Sequence, residues 1–279
     1  MQKITAKVIL DSISEDGVRL TTLHLHYPRY ILPEIDTHRM LSKNSRSSRA
    51  RPINSVMKEV YDDPFIPSHW TAYQKGMQGK EITDPEAIEF YTNFIISLGK
   101  NIVDAIELFN ETCDIKGIPR LHKQILNRYI ENFASTDTII SGTDWKNFFN
   151  LRISDKAEPH IKELAEAMQK AMAESTPKVV TIGDYHLPYI TEDEIEHHFM
   201  TECKFASVAR CARVSYAPFG SNEPDFDKDL ELGKTLLQDK HMSAFEHIAT
   251  PLLCASERTS NFRGWKQYRQ EVDYFSREV

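Results

Sequence analysis

The sequence predicts an α+β fold in which an antiparallel or mixed β-sheet packs with several long helices. Three observations predict it: residues 5–26 are β-rich, the middle of the chain repeats apolar residues at helical spacing, and a strand-like segment returns near the C-terminus. Because both ends are strand-like, we expect the N- and C-terminal segments to pair in one sheet. No linker-like stretch interrupts the chain, so residues 1–279 are predicted to form a single domain.

The first predicted elements form a β-hairpin. Residues 5–12 and 17–26 are β-rich, flank the turn-forming ISEDG, and show alternation of leucine and histidine in LHLH. A short helix is predicted near Pro33, because proline suits the first turn of a helix. Residues 36–52 are basic and poor in apolar side chains, and we expect them to be mostly loop.

Residues 84–175 are predicted to be mainly helical. Asp84 and Pro85 suit the cap and first position of a helix whose apolar residues recur at spacings of three and four. The stretches RLHKQILNRYIENF and EPHIKELAEAMQKAMAES are also amphipathic. Beyond them, a capping box from Thr191 to Glu194 and the segment DFDKDLELGKTLLQDKH predict two more helices, and ATPLLCASE predicts a buried strand.

Composition restricts the possible functions. The net charge of −7 argues against a general nucleic-acid-binding protein, and no apolar run approaches the roughly 20 residues that cross a membrane. Four scattered cysteines without a CxxC pair favour reduced thiols over a zinc site or disulfides. The Rossmann, P-loop, nucleophile-elbow and HExxH signatures do not occur in the sequence. We therefore expect a cytoplasmic protein with no nucleic-acid and no membrane partner.

The stretch DTHRMLSKNSRSSRARP is strongly basic although the chain is acidic. Arginine binds phosphate or carboxylate through two parallel hydrogen bonds, and neighbouring serine hydroxyls complete such an anion site. These residue types favour a site for a nucleotide or flavin phosphate. A solvated basic loop and a nucleic-acid contact are the alternatives.

The segment SGTDWKNFFNLR places Asn147 and Arg152 among aromatic residues on a predicted helix. Burying an amide and a guanidinium there is costly unless both find partners, whereas a helix surface would leave them solvated. The sequence alone does not decide whether Asn147 and Arg152 are buried with partners or exposed on the helix surface.

Two segments near the C-terminus also concentrate polar residues. In HMSAFEHIATPLL the histidines are six residues apart and do not share a helix face, so no metal is predicted. Ser243 and Glu246 in this segment also suit a capping box. In SNFRGWKQYRQ, Gln267 and Arg269 suit a planar surface for a base or ring, with an amphipathic helix as the alternative.

Taken together, these segments resemble flavin-dependent thymidylate synthases. The family signature RHRxxSxNExSxR is matched by THRMLSKNSRSSR at His38, Arg39, Ser42, Asn44, Ser47 and Arg49. The end of SGTDWKNFFNLR is similar to the family's NxRxxxNFxxLR helix, and HMSAFEH is similar to its HxSxxEH element. In the family HxSxxEH precedes the arginine signature, but here it lies far downstream. The motif order is therefore permuted, which fits chain ends that are neighbours.

The resemblance implies a fold like that of the thymidylate synthase-complementing proteins and FAD-dependent C5-methylation of dUMP to dTMP. Methylenetetrahydrofolate would supply the carbon and NADPH the reducing equivalents, in a homotetramer with shared active sites. The cofactor-binding residues implied are His38, Arg39, Asn44, Asn147, Ser243 and Glu246. The substrate-binding residues implied are Ser47, Ser48, Arg49, Lys123 and Arg152.

Arg152 is also the catalytic residue that the resemblance implies. The C5 of a pyrimidine becomes nucleophilic when N3 loses its proton, and a fixed guanidinium beside the ring stabilises that anion. No enzyme nucleophile is then required, so most of the chemistry belongs to the cofactors.

Four positions depart from the family pattern: Thr37, Ser45, Ser141 and Thr143. The first two replace the leading arginine and the glutamate of the signature, and the others replace an asparagine and an arginine of the helix motif. The lost contacts must come from elsewhere, for which Gln267 and Arg269 are the candidates. Two alternatives stay open: a flavin- and folate-dependent hydroxymethylase of dUMP or dCMP, and a non-catalytic nucleic-acid-binding protein.

Overall fold

The computed structural model describes residues 3–76, 79–215 and 225–275. Strands β1 (Thr5–Ser14) and β2 (Arg19–Pro28) form the predicted antiparallel hairpin. The turn between them uses Gly17, whose φ of 80° lies in the left-handed region that glycine enters without a steric penalty.

A five-stranded sheet has the order β3-β4-β2-β1-β5. The added strands are β3 (Ser42–Ser45), β4 (Ser135–Gly142) and β5 (Lys178–Val180). β3 and β2 both pair antiparallel with β4, whereas β5 pairs parallel with β1, so the sheet is mixed. The α+β class with a mixed sheet is confirmed.

The α-helices of the described residues are α1 (Leu32–Asp36), α2 (Ile53–Asp62), α3 (Pro85–Lys116), α4 (Lys123–Ile130), α5 (Lys146–Arg152), α6 (Pro159–Glu174), α7 (Glu192–His197), α8 (Met200–Arg213), α9 (Phe226–Gln238) and α10 (Tyr268–Phe275). Short 3-10 helices cover Arg29–Ile31, Glu131–Phe133 and Met242–Glu246. In the described part of the chain, no helix is both long and apolar enough to span a membrane.

The predicted helix caps are present. The Asp84 side chain accepts a hydrogen bond from the Glu86 amide at the start of α3, and Gly117, with a φ of 64°, ends that helix. Thr191 and Glu194 form the predicted capping box of α7. These local signals fix where helices begin and end independently of distant packing.

The sheet carries a hydrophobic core on each face. Ile140 belongs to a cluster with Trp145 and Phe148 of the α5 segment and with Leu164 of α6. Its neighbour Ile139 points to the opposite face and packs with α8 and the 242–246 helix. Every residue of β4 is buried, so both faces of this strand are covered.

The structure contains strands in three segments for which the sequence predicted none. Helices make up most of residues 84–175, and β4 lies within them. The basic run of residues 36–52 is mostly loop, and Ser42–Ser45 within it forms β3. The segment SNFRGWKQYRQ begins with strands β8 (Phe262–Arg263) and β9 (Trp265–Gln267), and its helix starts only at Tyr268.

The predicted pairing of both chain ends in one sheet is also wrong for the described residues. Near the C-terminus β6 (Ala249–Pro251) pairs with β9, and β7 (Arg258–Thr259) pairs with β8. Pro251 has no amide hydrogen and helps limit β6 to three residues. The ends meet instead through side chains, since Trp265 Nε1 donates to the Val18 carbonyl oxygen at 3.0 Å.

Candidate functional site

A cleft of about 720 Å³ opens between the segment 37–41 and the segment 144–152. Arg258 of β7 contributes to the same lining. Of the predicted site residues, this cleft brings together His38, Arg39, Asn147 and Arg152. Two motifs that are far apart in the sequence therefore meet at one place.

The pairing of β3 with β4 explains this meeting. The two strands are antiparallel, and Ser42 at the start of β3 faces Ser141 near the end of β4. In an antiparallel pair, the chain entering one strand and the chain leaving the other lie at the same end of the sheet. Residues 37–41 and the start of α5 are consequently neighbours.

The guanidinium of Arg152 is held from several sides. Its Nε donates to His38 Nε2 at 2.8 Å, and one terminal nitrogen donates to the Glu34 carbonyl oxygen and to Thr37 Oγ1, both at 3.0 Å. The Glu34 carboxylate lies 3.6 Å from the other terminal nitrogen. Few rotamers satisfy all these contacts, so the charge is fixed in position.

His38 is the acceptor in this arrangement. An arginine Nε carries a hydrogen and can only donate, so His38 must be neutral with its proton on Nδ1. Burial, together with the charges of Arg152 and Lys43, lowers the pKa of His38 to about 4. The ring also packs edge-on against Phe148, with 4.8 Å between ring centroids. At neutral pH His38 is therefore an uncharged support for Arg152.

The cleft combines apolar surface with positive charge. Met40 is 42% exposed and Leu151 is 53% exposed, both at the cleft, while Phe148 lies buried beneath them. Arg39, Lys146 and the Arg258 side chain add cations to the same lining. This mixture suits a ligand that has both a flat ring and a phosphate.

Asp144 and Arg258 line the cleft although the sequence did not identify them as site residues, and Arg263 joins them from outside the lining. Arg258 and Arg263 are cross-strand partners in the β7–β8 pair, where like charges repel. Asp144 accepts a hydrogen bond from Arg258 and another, at 3.1 Å, from Arg263 Nε. The only sequence signal is two arginines flanking the short segment TSNF, which does not reveal that a carboxylate from another segment lies between them.

The basic run mixes structural and unpaired charges. Three of its basic residues have carboxylate partners: Lys43 with Asp36, Arg46 with Asp137, and Arg51 with Glu59. Within the described ranges, no carboxylate forms an ion pair with Arg39 or Arg49. Arg39 lines the cleft, and Arg49 is exposed elsewhere on the surface.

A second group of predicted residues surrounds the loop after β3. Lys123 Nζ donates to the Ala50 carbonyl oxygen at 3.1 Å, and the amide of Ser47 donates to the Ser215 carbonyl oxygen at 2.8 Å. Ser48 and Arg49 belong to the same loop, and Ser48 borders a small cavity of about 20 Å³. None of these four residues lines the cleft of Arg152, so their substrate role stays a prediction.

A third group lies on the 242–246 helix and β9. Glu246 Oε1 accepts from Arg269 at 2.5 Å, while Gln267 Nε2 donates to Ser42 Oγ at 2.8 Å and to the Glu246 carbonyl oxygen at 2.7 Å. Gln267 and Arg269 thus contact this group and not the cleft, so they do not replace the missing signature arginine there.

Two other predicted residues belong near this group. Ser243 is exposed, and the cap position of its 3-10 helix is His241 without a side-chain hydrogen bond, so the capping box suggested for Ser243 and Glu246 is absent. Asn44 is buried in β3, and its Oδ1 has no hydrogen-bond partner in the described chain. Their cofactor roles stay predictions.

No protein-family model matches the chain, and no curated protein matches its sequence. Among solved structures, the chain is similar to the UMP/dUMP methylase PolB from Streptomyces cacaoi bound with 5-Br UMP, at 15% identity and a TM-score of 0.46 over 62% of this chain and 90% of that one. For the same enzyme bound with 5-Br dUMP the identity is 14% and the TM-score 0.46, over 62% of this chain and 91% of that one. The chain is also similar to the flavin-dependent thymidylate synthase ThyX from Helicobacter pylori complexed with FAD and dUMP. The identity is 17% and the TM-score 0.35, over 55% of this chain and 67% of that one.

Proposed function

We propose that this protein is a flavin-dependent enzyme that modifies C5 of a pyrimidine nucleotide, methylating dUMP to dTMP with methylenetetrahydrofolate and NADPH. One observation carries the proposal. The cleft unites His38 and Arg39 of the arginine signature with Asn147 and Arg152 of the helix motif. Both motifs come from the same resemblance, and their meeting was not required by the sequence spacing.

The residues in the cleft fit a flavin nucleotide. Arg39, Lys146 and Asn147 supply donors for phosphate and ring oxygens, and Met40 and Leu151 supply apolar surface for a flat ring. Bound FAD would supply the redox chemistry that an unaided protein lacks. The side chains of this chain would bind and orient it.

Arg152 would act on the nucleotide. The hydrogen bonds of its guanidinium fix the direction of this group. Placed beside a uracil ring, it would lower the pKa of N3–H and stabilise the ring anion whose C5 is nucleophilic. His38 would hold the guanidinium without taking a proton, because its pKa of about 4 keeps it neutral.

The cysteines support a mechanism without an enzyme nucleophile. Cys113, Cys203 and Cys211 are buried, and burial raises the pKa of the Cys203 and Cys211 thiols. Cys254 is exposed but does not line the cleft. A thiolate is thus poorly placed to attack a ring held by Arg152.

The separation of the three predicted groups supports shared active sites. Within one described chain, the cleft, the loop with Arg49 and Lys123, and the group with Glu246 have different linings and partners. In a homotetramer, a loop of one protomer would complete the cleft of another. Light scattering of the purified protein tests this, and a stable monomer that is fully active would contradict it.

The experiment that tests the proposed function is reconstitution with FAD. After removal of free cofactor, the protein should keep a flavin absorption band, and dUMP should perturb that band. A protein that stays colourless after reconstitution and instead shifts oligonucleotides in a salt-dependent manner would contradict the proposal and support the nucleic-acid-binding alternative.

A further inference from the structure

The cleft lacks one cation that the family signature would supply. Thr37 stands where the family signature has its leading arginine, and the Thr37 hydroxyl is used internally because it accepts a hydrogen bond from Arg152. Gln267 and Arg269 do not reach the cleft lining, as described above. A different residue must then supply positive charge in the cleft.

Arg258 lies in the same cleft, near the start of α5, where it contacts Asp144, whereas Thr37 contacts Arg152 at the end of α5. The Arg258 side chain is 42% exposed. The β7–β8 pair that carries it is attached to the cleft wall, because the Arg263 amide donates to Thr143 Oγ1 at 3.0 Å. Lys146, one helical turn from Asn150, is exposed in the same lining and has no ion pair among the described residues.

At the end of the cleft near the start of α5, Asp144 is outnumbered by basic side chains. One carboxylate serves two guanidinium groups, so Asp144, Arg258 and Arg263 together carry a net positive charge. Lys146 increases that charge. A phosphate brings more negative charge than a carboxylate and accepts two parallel hydrogen bonds from an arginine, so it competes well for Arg258.

We propose that Arg258 and Lys146 form a phosphate-binding subsite at this end of the cleft, with Asp144 as the internal carboxylate against which the phosphate competes. Arg258 then supplies, from a distant part of the chain, a positive charge to the cleft in which Thr37 supplies none. The inference deepens the proposed function and rests on it for the identity of the phosphate, which is either the diphosphate of FAD or the monophosphate of the pyrimidine nucleotide.

The primary test uses inorganic pyrophosphate and calorimetry, so it does not depend on flavin binding or turnover. Arg258→Gln should weaken pyrophosphate binding about tenfold, as expected for a lost charge-assisted contact, and Arg258→Lys should restore part of the affinity. Asp144→Asn should tighten binding severalfold, because it removes the competing charge. The control is Arg120→Gln, which breaks an exposed Arg–Asp pair with Asp114 outside the cleft and should leave binding unchanged.

Two ligand pairs identify the source of the phosphate. If Arg258→Gln weakens FAD but not riboflavin, the subsite holds the flavin diphosphate; if it weakens dUMP but not deoxyuridine, it holds the nucleotide. Circular dichroism should show that every variant is folded. An Arg258→Gln protein that binds pyrophosphate as the Arg120→Gln control does, or an Asp144→Asn protein that binds it more weakly, would overturn the inference. If the variants change pyrophosphate affinity as predicted but the protein binds neither FAD nor dUMP, the subsite is supported and the proposed function is rejected.

Discussion

At the scale of single residues, one hydrogen bond determines both the protonation state of His38 and the position of the Arg152 guanidinium. The guanidinium donates, so the imidazole must accept, and burial keeps that imidazole uncharged. The sequence motifs identified both residues but assigned His38 to cofactor binding, because a motif does not show which side chains hydrogen-bond to each other. Arg258 could not be predicted, since its place in the cleft depends on a hairpin that packs against a distant segment.

Replacing Arg152 by alanine should abolish turnover and largely spare flavin content. The side chain is assigned to charge stabilisation on the nucleotide, while other residues of the cleft contact the flavin. Turnover and the ratio of flavin absorbance to protein should be measured on the same preparation. A variant that turns over near the wild-type rate would remove Arg152 from the mechanism.

Changing His38 should affect the pH dependence of the reaction. As the pH falls through about 4, the imidazole gains a proton, can no longer accept from Arg152, and repels it. The wild-type kcat should therefore decline on the acid side around that pH. His38→Gln keeps an acceptor that does not titrate there, so the variant should be active at neutral pH with its acid decline reduced. An unchanged acid limb would show that His38 does not position Arg152.

At the scale of elements, helices were predicted better than strands. Caps and apolar spacing located α3 and α6 because those signals are local. β4 was missed because all its residues are buried, so STDTIISG shows no apolar–polar alternation. ATPLLCASE was predicted as a buried strand, and only its first three residues form β6. The other strands near the C-terminus have two or three residues and were not predicted.

The contact between α8 and α9 gives a matched pair of glycine predictions. A Cβ at Gly233 would overlap the Phe205 carbonyl oxygen, a backbone atom that cannot move independently. Gly233→Ala should therefore lower the free energy of unfolding by about 2 kcal/mol or more. At Gly99 in α3 a Cβ would meet Val60 at an ordinary 3.4 Å, so Gly99→Ala should be neutral or stabilise by up to about 1 kcal/mol. Urea unfolding measures both, and equal effects would contradict the helix contact.

At the scale of the whole molecule, a buried chain of hydrogen bonds joins the two ends. Ser12 and Thr22 of the hairpin contact the two ring nitrogens of His186 at 2.7 and 2.8 Å, Thr22 contacts Ser141 at 2.6 Å, and Ser141 contacts His247 at 2.8 Å. The sequence predicted that the N- and C-terminal segments pair in one sheet. It did not indicate that side chains, and not strand pairing, connect them.

This chain of hydrogen bonds predicts loss of stability in mild acid. Burial lowers the pKa of His186 and of His247 to about 3, whereas an unfolded histidine titrates near 6.5. The unfolded state therefore binds more protons below pH 6.5, and the stabilisation by neutral histidines is lost progressively as the pH falls toward 3. Between pH 7 and 5 the free energy of unfolding should fall by about 2 kcal/mol for each of them.

Urea unfolding at pH 7 and pH 5 measures this effect. His241→Gln is the control, because His241 is exposed and makes no side-chain hydrogen bond to the helix that follows it, so its replacement should leave the difference between the two pH values unchanged. Equal stability of the wild type at pH 7 and pH 5 would show that these histidines are not buried in neutral form.

The central claim is that a cleft organised around Arg152 activates the C5 of a pyrimidine nucleotide. The most direct measurement is the mass of the nucleotide recovered after the FAD-loaded protein is incubated with dUMP, methylenetetrahydrofolate and NADPH. The account predicts dTMP, and a hydroxymethylated nucleotide would keep the role of the cleft while changing the reaction to the alternative. Recovery of only unmodified dUMP from a protein that has bound both FAD and dUMP would contradict the account.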